Sequence, residues 1–245
     1  MHPVDEVRFS RQIKLSSVGE AGQEKINSAR VLVVGIGGLG SPAVLYLAAA
    51  GIGELVICDY DVVEESNLQR QIIHTNDQVG NLKTASAAAA VHNLNPDCKV
   101  ITIEHEMDAH ELCSEVALAD VVLDCSDNFA TRFAVNRECV RQATPLISAA
   151  AIQLTGQILA YIPDSYGPCY QCLYDEQYEN GLTCESEGIL GPVVGVMGTM
   201  QALQALLVLL GHTDNLVGRL LLFDGLNMQW QQIKVPRNPK CPSCG

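Results

Sequence analysis

Residues 30–41 read Arg-Val-Leu-Val-Val-Gly-Ile-Gly-Gly-Leu-Gly-Ser. A β-branched run breaks into Gly35, Gly37, Gly38 and Gly40. Val31–Val34 predicts a strand buried on both faces. The segment "SPAVLYLAAAG" predicts a helix with Ser41 as its N-cap and Gly51 as its stop. Strand, glycine turn and helix is the arrangement in which backbone N–H groups and the positive end of a helix approach a phosphate, because glycine has no Cβ to hold the ligand away. Asp59 closes a second strand, "ELVICD", nineteen residues after Gly40. That is where an acid meets a ribose hydroxyl.

The alternation continues with "LKTASAAAAVHNLN" as helix, "KVITIEHE" and "VVLDCSD" as strands, "TRFAVNRECVRQA" as helix and "PLISAAAIQL" as strand. This spacing predicts an α/β fold: a Rossmann-like, mostly parallel sheet with helices on both faces. After residue 152 the pattern changes. "GQILAYIP" follows through a glycine-containing turn and predicts that antiparallel strands continue the sheet, as does the hairpin-like "RLLLFDGLNMQWQQIKV". Residues 164–192 form a long polar segment, a length expected to be functional or stapled by metal. Residues 6–28 predict one or two amphipathic helices. One domain over 1–245 is expected, with N-terminal helices in 1–29, a nucleotide-binding part in 30–150 and a third part in 151–245.

Of the 245 residues, 48% are hydrophobic and 18% charged, and the formal net charge is −13. Such a chain has no electrostatic reason to seek nucleic acid or an anionic membrane, so any anion site must be local. The apolar stretch Val193–Leu210 is interrupted by Thr199, Gln201 and Gln204 and predicts a buried helix rather than a membrane span. The N-terminus lacks a basic-then-apolar leader, and a cytoplasmic protein is expected. Ten cysteines there should not be a disulfide framework. Cys169-x-x-Cys172 and Cys241-x-x-Cys244 instead supply four thiolates, the ligand set of a structural, tetrahedral Zn²⁺.

Beyond Asp59 the sequence departs from a dinucleotide pattern. "DYDVVEESNLQRQ" places Asn67, Gln69, Arg70 and Gln71 in one polar cluster, Lys83 follows, and "DCSDN" carries Asp127. Two cations near the phosphates and a carboxylate suited to Mg²⁺ describe a triphosphate site better than a nicotinamide site. An NAD-dependent oxidoreductase is the alternative; it accounts for the glycine turn and Asp59 but leaves the cluster and the cysteine pairs without work. A zinc-stabilised binding module without chemistry is a third reading.

The glycine turn, Asp59-x-Asp61, Ser66–Gln71, Lys83 and "DCSDN" together resemble the ThiF/MoeB/HesA adenylyltransferases, bacterial relatives of ubiquitin-activating enzymes, from about residue 5 to the C-terminus. The resemblance implies that the turn holds ATP, with Gly35, Gly37, Gly38, Gly40, Asp61 and Asn128 around it. It implies Asp59 on the ribose, Asn67, Arg70 and Lys83 on the phosphates, and Asp127 on Mg²⁺. It implies a homodimer in which Arg11 reaches the partner's site. Cys184 matches a cysteine that takes the acyl group or carries sulfur in the thiazole branch. The paired cysteines match a structural zinc site. The implied activity is adenylylation of the C-terminal Gly-Gly of a small ubiquitin-like sulfur carrier, for thiamine thiazole or molybdopterin formation. The sequence closes on "CPSCG", so sulfur is expected from a separate cysteine desulfurase or rhodanese-type protein.

Overall fold

The computed structural model describes residues 7–175 and 187–245. Among these residues one sheet contains β1 (Arg30–Val34), β2 (Glu54–Cys58), β3 (Lys99–Ile103), β4 (Val121–Asp124), β5 (Leu146–Ile152), β6 (Thr155–Tyr161), β7 (Arg219–Asp224) and β8 (Gln229–Lys234). The strand order is β3-β2-β1-β4-β5-β6-β7-β8. The first five strands are parallel, with Val33 opposite both Ile57 and Leu123. From β5 to β8 every pairing is antiparallel. The switch follows from the connections: β5 meets β6 through a tight turn too short for a crossover helix.

The helices are α1 (Ser10–Ile13), α2 (Gly19–Ser28), α3 (Gly40–Ala50), α4 (Lys83–Leu94), α5 (Ala109–Leu118), α6 (Phe129–Gln142) and α7 (Gly191–Leu210). Side chains alternate across the parallel strands, so each face has its own core. Val31, Val33, Leu55, Ile57 and Leu123 pack with α3, α4 and α7. Leu32, Val34, Val56 and Val122 pack with α5 and α6.

Three local features refine the sequence reading. First, α3 begins at Gly40, with Leu39 in the cap position and no side-chain cap. Ser41 is therefore inside the helix, and its Oγ donates to Gly37 O at 2.7 Å. The expected stop is where the sequence put it: Gly51 takes φ +96°, a left-handed conformation that closes the helix. Second, α5 lies between two strands that the sequence pattern had simply followed one with the other. Asp108 accepts from the backbone N–H of His110 and of Glu111, at 2.9 and 2.8 Å. The Asp-x-x-Glu spacing was its signal. Third, α7 has the length and apolarity of a membrane-spanning helix, yet it packs in the core. Gln201 lies fully buried on it, and its Nε2 donates to Asp124 O and Ile147 O at 2.8 and 3.1 Å, tying α7 to the end of β4 and the start of β5.

Candidate nucleotide site and metal centre

Parallel strands put their C-terminal ends, and the loops that follow, on one edge of the sheet, and ligands bind there. Here a cavity of about 510 Å³ opens at the ends of β1, β2 and β4 and runs along β5 to β7. The glycine turn forms its first wall. Gly35 has φ +93°, and a Cβ on it would stand 2.8 Å from Cys125 O. A Cβ on Gly40 would stand 2.1 Å from Gly35 O. A Cβ on Gly37 would meet only the Gln71 side chain, at 3.7 Å. Gly35 and Gly40 are thus required by the fold itself, whereas Gly37 leaves space that a ligand can enter.

Asp59 leaves the end of β2, half-buried, and the backbone orients it. Its Oδ2 accepts from Ile36 N–H at 2.7 Å and its Oδ1 from Asp61 N–H at 2.9 Å. The carboxylate is therefore locked to the glycine turn. Lys83 is the first residue of α4; it is buried, and its Nζ pairs with Asp61 Oδ2 at 2.7 Å. Both residues line the cavity, as do Arg70 and Asp127. Arg70 Nη1 donates to Ser66 O at 3.0 Å, which folds the side chain back along its own loop. Asp127 is exposed at the rim. Its carboxylate oxygens are donors of the type Mg²⁺ prefers.

The structure does not bring every expected residue to the cavity wall. Asn67 is buried in a short 3₁₀ turn, where its Oδ1 accepts from Glu64 N–H at 3.1 Å. Asn128 caps α6 by accepting from Thr131 N–H at 2.9 Å. Gly40 sits behind the turn, and Arg11 is exposed on α1; none of these four lines the cavity. Cys184 lies outside the described residues.

Two residues missing from the sequence reading do shape the site. Asp124 is fully buried at the end of β4, where its Oδ1 accepts from Ser126 N–H and Oγ and its Oδ2 from Ser148 Oγ. Arg132 lies beside it on the buried face of α6 and lines the cavity; its Nη2 donates to Ser126 O at 2.6 Å. Burial works against the charge on Arg132, but the Asp124 carboxylate and the Tyr170 hydroxyl outweigh it, and its pKa is raised. A fixed guanidinium in a partly apolar cavity is a recognition group for a carboxylate or phosphate. The only sequence signal was a cation on the apolar face of a helix.

The far wall is aromatic. Phe129, Tyr170 and Tyr174 line it, and the ring centroids of the two tyrosines are 4.8 Å apart. Tyr174 Oη donates to Gln157 Oε1 at 2.8 Å. Burial pushes the Tyr170 hydroxyl up to about 12, so it stays protonated. Tyr170 also belongs to the 3₁₀ turn Tyr170–Cys172, which carries a member of the metal centre.

At that centre, Sγ atoms of Cys169, Cys172, Cys241 and Cys244 all lie within 4.8 Å of one another. Cys169 and Cys241 are 3.6 Å apart and Cys172 and Cys244 3.5 Å. A tetrahedral Zn²⁺ with Zn–S bonds of ~2.3 Å requires sulfur–sulfur edges of about 3.8 Å, so the four thiols fit the ion. Asn136 Nδ2 donates to Cys169 Sγ at 3.6 Å while its Oδ1 accepts from Tyr170 N–H at 2.8 Å, and Asn238 N–H donates to Cys172 Sγ at 3.3 Å. Such donors orient thiolate ligands. Burial raises the Cys169 thiol. Burial also acts on Cys241, but the N–H groups of Cys244 and Ser243 and the neighbouring thiols favour its thiolate and leave its pKa lowered.

A model of the ThiF family matches residues 9–243. The chain belongs to the ThiF family. Among curated relatives of this ThiF-family chain, the SAMP-activating enzyme E1 of Haloferax volcanii is 46% identical over 240 residues, covering 97% of this chain and 88% of the relative. The sulfur carrier protein ThiS adenylyltransferase of Escherichia coli is 44% identical, covering 100% and 97%. The molybdopterin-synthase adenylyltransferase of Escherichia coli is 41% identical, covering 98% and 96%. These identities differ too little to favour one branch. Among solved structures, Escherichia coli MccB with ATP matches with a TM-score of 0.85 at 25% identity, covering 100% of this chain and 75% of that one. Escherichia coli MccB with MccA-N7isoASN matches with a TM-score of 0.84 at 26% identity, covering 97% and 75%.

Proposed function

We propose that this ThiF-family chain uses ATP to adenylylate the C-terminal glycine of a small ubiquitin-like sulfur carrier protein. One observation carries the reading. A single cavity joins the glycine turn, Asp59, Arg70, Lys83 and Asp127 at one end to Arg132 and an aromatic wall at the other. The first end suits a nucleoside triphosphate and the second an extended peptide that ends in a carboxylate. The names of the relatives, adenylyltransferases of sulfur carriers, support the same reading.

A carboxylate oxygen of the carrier attacks the α-phosphorus of ATP. The bond from that phosphorus to the β,γ-pyrophosphate breaks, and pyrophosphate leaves with the electron pair. The nucleophile is already ionised, so no side chain has to take a proton. What the protein supplies is alignment and neutralisation of charge that builds on the α-phosphate and the leaving group. Arg70 and Lys83 are the cations assigned to the phosphates, with Lys83 exchanging Asp61 for phosphate oxygen. Asp59 takes the ribose hydroxyls. Asp127 would hold Mg²⁺, which supplies further neutralisation of the triphosphate when bound. Arg132 is assigned to the carrier's carboxylate end. The four cysteines would hold Zn²⁺, whose part is cross-linking alone, since four protein ligands leave no position for chemistry.

The remaining parts of the proposal are a homodimer, in which Arg11 completes the partner's site, a cytoplasmic location and a separate sulfur donor. Cys184 is assigned to a later step, as the thiolate that takes the acyl group from AMP or passes sulfur on. A dinucleotide fold completes its second half with a further parallel strand, whereas β6 is antiparallel to β5; the oxidoreductase alternative loses its nicotinamide half there.

ATP–pyrophosphate exchange with a thiamine-pathway carrier and a molybdopterin-pathway carrier tests the proposal. Exchange with one of them is expected, and the better substrate assigns the branch. A thermal shift with NAD but not with ATP, and no exchange with either carrier, would overturn it.

A further inference from the structure

His74 ends the segment that begins at Ser66, and it lies behind the cavity without lining it. Its backbone N–H donates to Gln71 O at 3.1 Å. The side chain is 5% exposed, and both ring nitrogens have partners. Nε2 lies 3.2 Å from Ile36 O, and Nδ1 lies 2.9 Å from Ser86 Oγ. A carbonyl oxygen can only accept, so Nε2 carries the hydrogen and Nδ1 is left to accept from the Ser86 hydroxyl.

Neither partner lines the cavity, but each lies on an element that does: Ile36 in the glycine turn and Ser86 on the helix of Lys83. Ile36 stands between Gly35 and Gly37, and its own N–H is held by Asp59. The turn is therefore gripped at both sides of one residue. Ser86 is one helical turn past Lys83 on α4. Through a single imidazole, the loop of Arg70, the glycine turn and the helix of Lys83 are joined. The charged groups facing the ring are Lys83 and Asp59. Burial, with help from Lys83, lowers its pKa against the pull of Ile36 O and Asp59, which keeps the ring neutral at neutral pH.

We propose that His74 is a positioning residue for nucleotide binding: its ring fixes the glycine turn relative to the Lys83 ammonium, so that one triphosphate meets both. This rests on the ATP reading above. A side chain that merely filled space would need neither the tautomer nor the two directed bonds.

The first test needs no nucleotide. Nitrogen-15 NMR of the full-length protein labelled at histidine reads the tautomer of His74 at pH 7.5. The Nε2–H form is expected, and the Nδ1–H form overturns the proposal whatever the ligand is. The second test compares His74→Gln with His74→Asn in carrier-dependent pyrophosphate exchange. The glutamine amide nitrogen reaches the place of Nε2 and keeps the bond to Ile36 O; the asparagine amide reaches only the place of Nδ1. A rise in the ATP KM of about threefold is expected for His74→Gln, which loses only the Ser86 bond, and of about tenfold for His74→Asn, which loses the bond to Ile36 O, with the carrier KM unchanged in both. Equal ATP KM values in the two variants, or a change in the carrier KM instead, would overturn the proposal. If His74→Asn does not fold, Ser86→Ala takes its place. It should raise the ATP KM about threefold while the protein still folds, at a lowered melting temperature, and an unchanged KM counts against the proposal. Absence of exchange in the wild type would sink the reading of function while leaving the tautomer test in force.

Discussion

The two ends of the cavity are held by different forces. At the glycine turn, backbone meets backbone. Gly35 N–H donates to Cys58 O and Cys125 N–H to Val34 O, so the turn hangs on the ends of β1, β2 and β4. At the aromatic wall, order depends on side chains brought from far apart. Cys169 meets Cys241, and Cys172 meets Cys244, each across 72 residues. The short turn that carries Cys172 also carries Tyr170 of the cavity. The first end is secured by a buried parallel sheet. The second is gathered around four cysteines that could hold a metal ion, and the proposed zinc would be its cross-link.

The largest effect should come from breaking that cross-link. Cys172→Ser, or zinc removal by a chelator, should release one zinc per chain and raise hydrogen exchange in residues 165–175, with α3 still protected. Structural zinc is worth roughly 10–16 kcal/mol in peptide models, so its loss is not absorbed by packing at a small wall. Equal loosening of α3 would erase the difference between the two ends. Protein purified without chelator and found free of zinc would remove the metal from the comparison altogether.

At the opposite end, Arg70→Ala should leave the melting temperature near wild type, because the side chain's hydrogen bond goes to Ser66 O, a carbonyl in its own loop. Pyrophosphate exchange should fall by a factor on the order of 10² to 10³, the usual result of deleting one preorganised charge contact. Exchange rates within twofold of wild type would take Arg70 out of the mechanism.

A finer cut separates the glycines. Gly40→Ala must move backbone, since its Cβ would lie 2.1 Å from Gly35 O; a loss of about 1–3 kcal/mol in denaturant unfolding is expected. Gly37→Ala meets only a side-chain amide at ordinary contact distance. Its stability should change by about 1 kcal/mol or less while ATP affinity falls. If both variants lose stability equally, the turn is not divided into a structural and a ligand-facing part.

The smallest effect is a pH dependence. The folded pKa of His74 lies below its ordinary value of 6.5. Its contribution to stability is therefore fully present above pH 6.5 and is lost as pH falls toward the folded value. Wild type should lose more stability than His74→Gln between pH 7.5 and 5.5, by about 1 kcal/mol or less. The carboxylates titrate alike in both proteins, so the difference isolates the imidazole. Parallel curves would show that the ring does not resist protonation.

The features that local physics controls were legible in the chain. The β-branched run, the glycine spacing and Gly51 act within a few residues, through strand packing and the absence of a Cβ. Asp59 could be placed because a strand delivers its last residue to the sheet edge. The cysteine pairs could be read because tetrahedral zinc accepts few ligand sets. Tertiary structure decided what depends on facing and partnership. Sequence could not show that Lys83 rests on Asp61, that Asn67 and Asn128 turn their side chains to backbone N–H groups, or that Arg132 and His74 sit around the cavity at all. Ser41 lies two residues past the cap, Leu39, because the glycine turn, folded against Cys125, starts the helix early. A hydrogen bond costs a residue no local preference in choosing between a ligand, a backbone amide and a distant side chain; only the packed fold, which fixes the donors within reach, makes that choice.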